Sequence, residues 1–311
     1  MLNIGICTRE RPKMLAELLE SLCISIAQAG ETVEIILIEN GPPTGAKDVA
    51  ESFADRLNIS YHNEPRLGLV YARNAVVTQF LAGESEWIAL VDDDEVVAPD
   101  WLSVFLQARA DFPDADLLVG PTLKIYDPSA PRILRAARPK FHPHGHKVFR
   151  SGTNNCLMRR EIFDDGEKLH LFDLAYNLTG GEDFDFFRRI RLRGYTCRYF
   201  KSALTYEHVP ESRQSLRFQF SKIGHQAHCS GIVTINHMGR FAGSLFVLRE
   251  ILRDVTKGVV FGLIGVFILV VSEQRGLRLL ARAWVAVASA IGRPRVFWSR
   301  PSESYATVQG Q

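Results

Sequence analysis

From Leu2 to Val119 the chain alternates short apolar runs with segments whose apolar residues recur at helical spacing, and that alternation leaves few folds open. Leu2 to Cys7 is a compact apolar run suited to a buried strand. Pro12 stands where a helix can begin, and Met14, Leu15, Leu18, Leu19 and Leu22 then repeat along one helical face. Val33 to Ile38 is the next strand, closed by Glu39, Asn40 and the turn Gly41-Pro42-Pro43. Ile59 to His62, Trp87 to Val91 and Leu117 to Val119 read as further strands, with Leu69 to Leu81 and Trp101 to Phe112 as helices. Such alternation implies an α/β class: a Rossmann-like, mainly parallel central sheet with helices on both faces. At 311 residues there is room for one large domain plus an appendage, without staples.

Ligands of open parallel sheets bind beyond the carboxyl ends of the strands. Three polar clusters fall there: Thr8-Arg9, Glu39-Asn40 and Asp92 to Glu95. The last follows a core-type run in "WIALVDDDEVV", and its neighbouring carboxylates repel one another. A solvated turn would tolerate them; a bound cation would explain them. Their position at a strand end favours a site. No G-x-G-x-x-G follows the first strand, and "GPPTGAK" lacks both the spacing and the Ser or Thr of a phosphate loop. Phosphate charge must then be met by other means, for which Mg²⁺ or Mn²⁺ on oxygen ligands is the natural candidate.

A formal net charge of +2, from 37 basic and 35 acidic residues, excludes a globally basic nucleic-acid binder. The charge is uneven, however: Pro121 to Arg150 carries seven lysines and arginines against Asp127 alone. Five scattered cysteines without a C-x-x-C pair suggest a reduced, cytosol-facing protein, and "MLNIGIC" enters the first strand with no signal peptide before it.

In "GGEDFDFFRRIRLRGY" a helix is expected to begin near Glu182 after Gly180-Gly181. Asp183, Phe186, Phe187 and Ile190 share a stripe on it that faces inward. Helix-end charge accounts for Glu182 and Asp185. Asp183, on the apolar stripe, is the better candidate for a general base.

"GICTRERP", "EIILIENG", "NEPRLGLVYARNAVV", "WIALVDDDEVVAPDWL", "SGTNNCLMRREIF" and "GGEDFDFFRRIRLRGY" occur in the order found in family 2 glycosyltransferases of the GT-A fold, which the chain resembles from Leu2 to His208. The resemblance implies that Thr8 and Glu39 flank the base and ribose of a nucleotide sugar, with Arg9 beside them. The family usually has Asp at the second position. It implies Arg73 near the diphosphate or sugar, Asp94 as a direct metal ligand, Asp92 on the ribose or the metal shell, and His208 on the diphosphate or metal shell. Asp93 and Glu95 receive no role. Among other histidines, "HPHGH" (His142, His144, His146) reads as part of an acceptor-side loop, and His225 and His228 as a solvated helix face.

Beyond Phe241 the character changes. Gly258 to Ser272 is uncharged and apolar, but as a helix it spans only about 22 Å against a hydrocarbon core of roughly 30 Å. Arg249, Arg253 and Lys257 precede it, Arg275, Arg278 and Arg282 follow it, and Ala283 to Gly292 is a second, weaker run. A monotopic or re-entrant hairpin entering the cytoplasmic leaflet suits both length and charge, the alternative being a buried helical pair.

The resulting expectation is a GT-A domain with a nucleotide-sugar-binding half (1–120), an acceptor-binding half carrying the base (121–230), a helical membrane-associating region (231–292) and a disordered tail (293–311). The activity expected is metal-dependent, inverting transfer of a sugar from a UDP-sugar, glucose being the first choice. The acceptor expected is a lipid-linked oligosaccharide on polyprenyl diphosphate, met at the cytoplasmic face of the inner membrane during exopolysaccharide or surface-polysaccharide synthesis. The alternatives are a nucleotide-sugar hydrolase or pyrophosphorylase, or a non-catalytic sugar-nucleotide-binding subunit.

Overall fold

The structure is a computed structural model that describes residues 1–148, 152–166 and 168–299. Strands β1 (Leu2–Thr8), β2 (Val33–Asn40), β3 (Ile59–Glu64) and β4 (Trp87–Asp92) lie parallel in the spatial order β3-β2-β1-β4. Helices α1 (Pro12–Ala29), α2 (Ala46–Ser52) and α3 (Leu69–Ala82) make the crossings. The expected strands and helices of this half are therefore present, each starting at its expected residue and, where an end was expected, ending within two residues of it; α1 runs on past Leu22 to Ala29.

After β4 come β5 (Glu95–Val97), α4 (Trp101–Asp111), β6 (Leu117–Val119), β7 (Thr122–Ile125), α5 (Arg132–Ala136) and β8 (His146–Lys147). β9 (Asn155–Arg159) then inserts antiparallel between β4 and β6; it is followed by α6 (Glu182–Leu192), β10 (Cys197–Tyr199) and β11 (Thr205–His208). The main sheet runs β3-β2-β1-β4-β9-β6-β10-β8, mixed but mostly parallel, and β5-β11-β7 form a small second sheet beside the carboxyl end of β4.

Both faces of the main sheet are apolar, as a sheet with helices on both sides requires. Leu2, Ile4 and Ile6 of β1 join Leu15, Leu18 and Leu22 of α1 and Trp101 and Phe105 of α4 in one core. Ile36 and Ile38 of β2 and Ile88 and Leu90 of β4 join Val76, Val77 and Phe80 of α3 and Phe186 and Ile190 of α6 in the other. Each large apolar side chain so enclosed contributes roughly 1.5–3 kcal/mol of transfer free energy. The indole of Trp101 donates to Asn155 at 2.8 Å, which ties β9 to α4 through the buried interior.

Three helices complete the described chain: α7 (Leu216–Met238), α8 (Arg240–Leu269) and α9 (Glu273–Gly292). α7 continues unbroken through residue 231, where a boundary was expected. α8 and α9 pack antiparallel, Gly258 beside Val287 and Gly265 beside Leu280. Gly292 meets Gly224 of α7 so closely that a Cβ there would lie 2.1 Å from the Gly224 carbonyl oxygen. The tail expected to be disordered from Arg293 instead begins as a 3₁₀ turn, Arg293–Phe297, with the buried Arg293 3.0 Å from Asp254. The remainder of that tail from Arg300, together with Arg150 of the basic segment, lies outside the described residues. Among the described residues no helix is long and apolar enough to cross a membrane.

Candidate active site

A cavity of about 800 Å³ opens at the carboxyl ends of β1 and β4, where strand-end polar residues collect. Asp92, Asp94 and Asp183 all line it, as do Thr8, Arg9 and Arg73. The structure thus brings together six of the expected site residues from four elements and their following loops.

The acidic run after β4 divides into two pairs. Asp93 and Glu95 turn inward and are buried. Asp93 accepts from the Thr8 hydroxyl at 2.8 Å and from Arg11 at 2.9 Å; burial raises its carboxyl, and Arg11 opposes that rise. Glu95 accepts from Asn154 at 2.7 Å, and burial lifts it well above the usual carboxylate range. All four line the cavity, and Asp92 and Asp94, on either side of the buried Asp93 at the end of β4 and in the turn after it, keep more of their side chains open to it. Asp94 is met by Arg11 at 3.2 Å and Arg213 at 3.8 Å. Asp92 has 44% of its side chain open, though it sits deep in the concave wall. Burial there, with Asp94, Asp183 and Asp93 close by, pushes it up to about 7 against the pull of Arg73.

Arg73, in the second turn of α3, is 6% exposed and joins the two sides of the cavity. Its Nη1 lies 2.6 Å from Glu182 and 2.7 Å from Asp183, and its Nη2 lies 3.9 Å from Asp92. Burial works against its charge, yet Asp183, Glu182 and Asp92 hold its pKa above the ordinary value. α6 can start beside it because Gly180 and Gly181 take φ of 82° and 102°, a region that side chains with a Cβ rarely adopt. The sequence reading of this first turn is partly reversed. Glu182 and Asp185, expected as helix-end charges, are buried, Glu182 on Arg73 at 2.6 Å and Asp185 on His237 and Arg189, each at 2.7 Å. Asp183 faces the cavity with a side chain 26% exposed. It accepts from Arg73 and, at 3.2 Å, from Thr153, both on Oδ1; Oδ2 carries no hydrogen bond among the described residues.

Two expected site residues lie elsewhere. Glu39 is wholly buried beneath the loop after β2, accepting from the Thr44 amide at 2.5 Å, the Thr44 hydroxyl at 2.9 Å and the Tyr61 hydroxyl at 2.6 Å. Burial raises its carboxyl, but those donors hold it below the usual range. Its neighbour Asn40 lines the cavity instead. His208 is exposed at the end of β11, and strand alternation gives the cavity Glu207 in its place. The histidines of "HPHGH" do not line the cavity either; His142 and His146 stack on each other at 5.3 Å. His228, read as solvated, is buried in α7.

Sequence reasoning missed the basic wall. Arg11, Arg213, Lys124 and Lys222 line the cavity around Asp94 and Glu207. Burial, with Lys124 next to it, lowers the Lys222 ammonium. Arg11, within "GICTRERP", and Lys124, within the basic Pro121–Arg150 segment, stood in stretches already singled out; Arg213 and Lys222 did not.

Among the described residues no three His, Cys, Asp or Glu side chains form a ready cage for a metal ion. The residues fit a divalent cation of another kind: Asp92 and Asp94 offer carboxylate oxygens in a cavity lined by seven acidic and seven basic side chains, and Mg²⁺ or Mn²⁺ is commonly held by one or two carboxylates with substrate phosphates completing the shell. Such an ion would balance diphosphate charge as a leaving group departs.

Residues 3–166 match the family described as glycosyl transferase family 2. Over 224 residues, 69% of this chain and 69% of that protein, the sequence is 33% identical to succinoglycan biosynthesis protein ExoM of Rhizobium meliloti. Over 172 residues, 52% of this chain, it is 23% identical to glucosyl-dolichyl phosphate glucuronosyltransferase of Haloferax volcanii, of which it spans 53%. Among solved structures, residues 1–349 of TarS from S. aureus, in complex with UDP-GlcNAc, superpose with a TM-score of 0.56 at 16% identity, covering 94% of this chain and 90% of that one. The mannosyltransferase PcManGT of Pyrobaculum calidifontis, in complex with GDP-Man and Mn²⁺, gives 0.55 at 14%, covering 96% and 87%. The chain spans 55% of the longer TarS structure.

Proposed function

The chain belongs to glycosyl transferase family 2, with the GT-A fold, and from that premise we propose that it transfers a hexose from a UDP-sugar to a polyprenyl-diphosphate-linked glycan with inversion. The observation that carries this reading is that Asp183 and the Asp92–Asp94 pair line one cavity and are bridged by Arg73.

The chemistry runs as follows in this reading. The donor enters beside Thr8, Arg9 and the strand-end carboxylates, with residues 1–120 as its half of the cavity and 121–230 as the acceptor's. Asp92 and Asp94 would hold Mg²⁺ or Mn²⁺, which would supply positive charge to the diphosphate. Arg11, Arg213 and Lys222 add fixed positive charge on the same wall. The acceptor hydroxyl approaches Asp183, whose Oδ2 takes the proton as the oxygen attacks the anomeric carbon and the sugar–phosphate bond breaks. Arg73 and Thr153 fix the carboxylate through Oδ1, so the base is oriented before substrate arrives. Glu39 acts at one remove, by shaping the loop from Gly41 to Gly45 through Thr44.

ExoM is named for succinoglycan biosynthesis, and the Haloferax relative for transfer onto a glucosyl-dolichyl phosphate. Those names support a lipid-linked acceptor and a role in polysaccharide synthesis. The test is incubation of purified protein with labelled UDP-sugars, UDP-glucose first, plus Mn²⁺ and a membrane lipid extract. Label moving into the lipid fraction is expected. Release of free sugar alone, whatever acceptor is supplied, would establish a hydrolase instead.

A further inference from the structure

The outer surface of α8 carries an apolar stripe that nothing in the described structure covers. It runs from Phe241 to Val270 through Leu245, Leu252, Leu263 and Val266, with Leu252 68% and Leu263 71% exposed. At helical pitch these residues fall within an arc of about 60°, and the stripe is about 43 Å long. Past Val259 it broadens, because Ile264, Phe267 and Val271 occupy the flank that Arg249, Arg253 and Lys257 hold in the first half. An apolar face of this extent on a soluble protein marks a surface that meets something else.

Charge decides what. α9 exposes Arg275, Arg278 and Arg282 at helical spacing on one face, and the Arg282 guanidinium lies 6.0 Å from the Phe261 ring, which sits about 60° round α8 from Ile264, so the row lies beside the broadened half of the stripe. The acidic residues of α8, Glu250 and Asp254, are buried on its opposite side against Arg253 and Arg293. Glu273 of α9 is engaged by Arg132 of α5. A second copy laid on α8 would therefore set arginine against arginine with no facing carboxylates. An anionic bilayer meets both halves of the surface: acyl chains take the stripe, and lipid phosphates take the arginines.

We propose that α8 lies in the plane of an anionic phospholipid membrane with the Phe241–Val270 stripe inserted, deeper at the Val270 end, while Arg275, Arg278 and Arg282 bind headgroup phosphates. The surface deepens the lipid-linked acceptor reading and rests on it for its purpose. It replaces a hairpin dipping by its tip with a helix lying along its length. It also stays in contact with the cavity, since α7, whose Phe218, Ser221 and Lys222 line that cavity, packs its Phe220 on Trp284 of α9 at 5.7 Å.

The full chain is tested by co-sedimentation with phosphatidylcholine vesicles, with and without phosphatidylglycerol and free of any acceptor. Two variants accompany it, Leu252→Ser with Leu263→Ser, and Arg275→Gln with Arg278→Gln and Arg282→Gln. Exposed side chains are changed in both, and an unaltered near-UV spectrum and melting temperature confirm the fold. Binding that requires phosphatidylglycerol is expected, falling about tenfold per leucine lost and roughly fivefold per arginine lost. No vesicle binding by the native chain, or binding that neither variant weakens, overturns the proposal. So does a dimer that the leucine variant splits while vesicles are ignored. Turnover on a short-chain, water-soluble acceptor is measured alongside. Vesicle binding without turnover counts against the acceptor reading alone, and turnover without vesicle binding against the docking face alone.

Discussion

Arg73 stands between Asp183 and Asp92, 2.7 Å from the first and 3.9 Å from the second, and it is nearly inaccessible to solvent. One buried guanidinium therefore ties the expected base to the expected cation side. Replacing it by Met should strand Glu182 as an uncompensated buried carboxylate and cost about 3 kcal/mol. Pairing that change with Glu182→Gln should recover much of the loss, a non-additivity that urea titration of the single and double variants measures. Strictly additive values would break the link.

Asp183→Asn should lower kcat by roughly 10²–10⁴-fold while leaving UDP affinity within about twofold, since the amide keeps the shape but cannot take a proton. Rapid-quench turnover beside UDP titration calorimetry separates the two. Turnover near the native rate would remove Asp183 as the base.

Chelation should abolish transfer, and Mn²⁺ should restore it. Asp94→Ala should raise the Mn²⁺ concentration for half-maximal rate by about tenfold or more, the scale of a lost ligand. His208→Ala, at an exposed position off the cavity, should leave that titration unchanged. A shift with His208 and none with Asp94 would invert the assignment.

The metal-free protein should lose stability as pH rises towards neutrality. Burial and the neighbouring Asp183 push Glu182 from 4.5 up to about 7, so between those values the folded chain holds a proton that the unfolded chain has released. Where the native state binds more protons, stability falls with rising pH. Asp92, raised from 3.8 to about 7, acts in the same direction. His228, buried and lowered, acts in the opposite one, so the comparison of native protein with Glu182→Gln isolates the effect. The melting temperature should fall from about pH 5 to about pH 7.5, less steeply in the variant. A slope unaffected by that substitution would contradict it.

The first four strands and helices α1 and α3 were legible, helped by the long apolar runs Leu2–Thr8, Val33–Asn40 and Trp87–Asp92 and by clear helical spacing, whereas the short α2 was not read. β9 was not: Asn155–Arg159 is five residues that begin with an amide and end on a charge, and what makes it a strand is a place between β4 and β6. Asp92, Asp94 and Asp183 could be found from strand ends and a helix start. The burial of Glu182 could not, because its partner lies 109 residues away in sequence. In α8 the arginines and Lys257 interrupt the apolar run when it is read along the chain, yet they occupy only its flank once the residues are wound into a helix.

β9 has a further consequence for how the protein is made. Its register sets Asn155 opposite Val91, with Asn154 reaching Glu95 and Asn155 holding Trp101. A nascent chain that has emerged only as far as β7 can pair its parallel strands, but it carries the acidic turn with no opposite wall. Closure waits on a strand synthesised about sixty residues later, a non-local pairing that is slow to form. A translation product that stops before β9 is therefore a folded fragment at most, and never a working transferase.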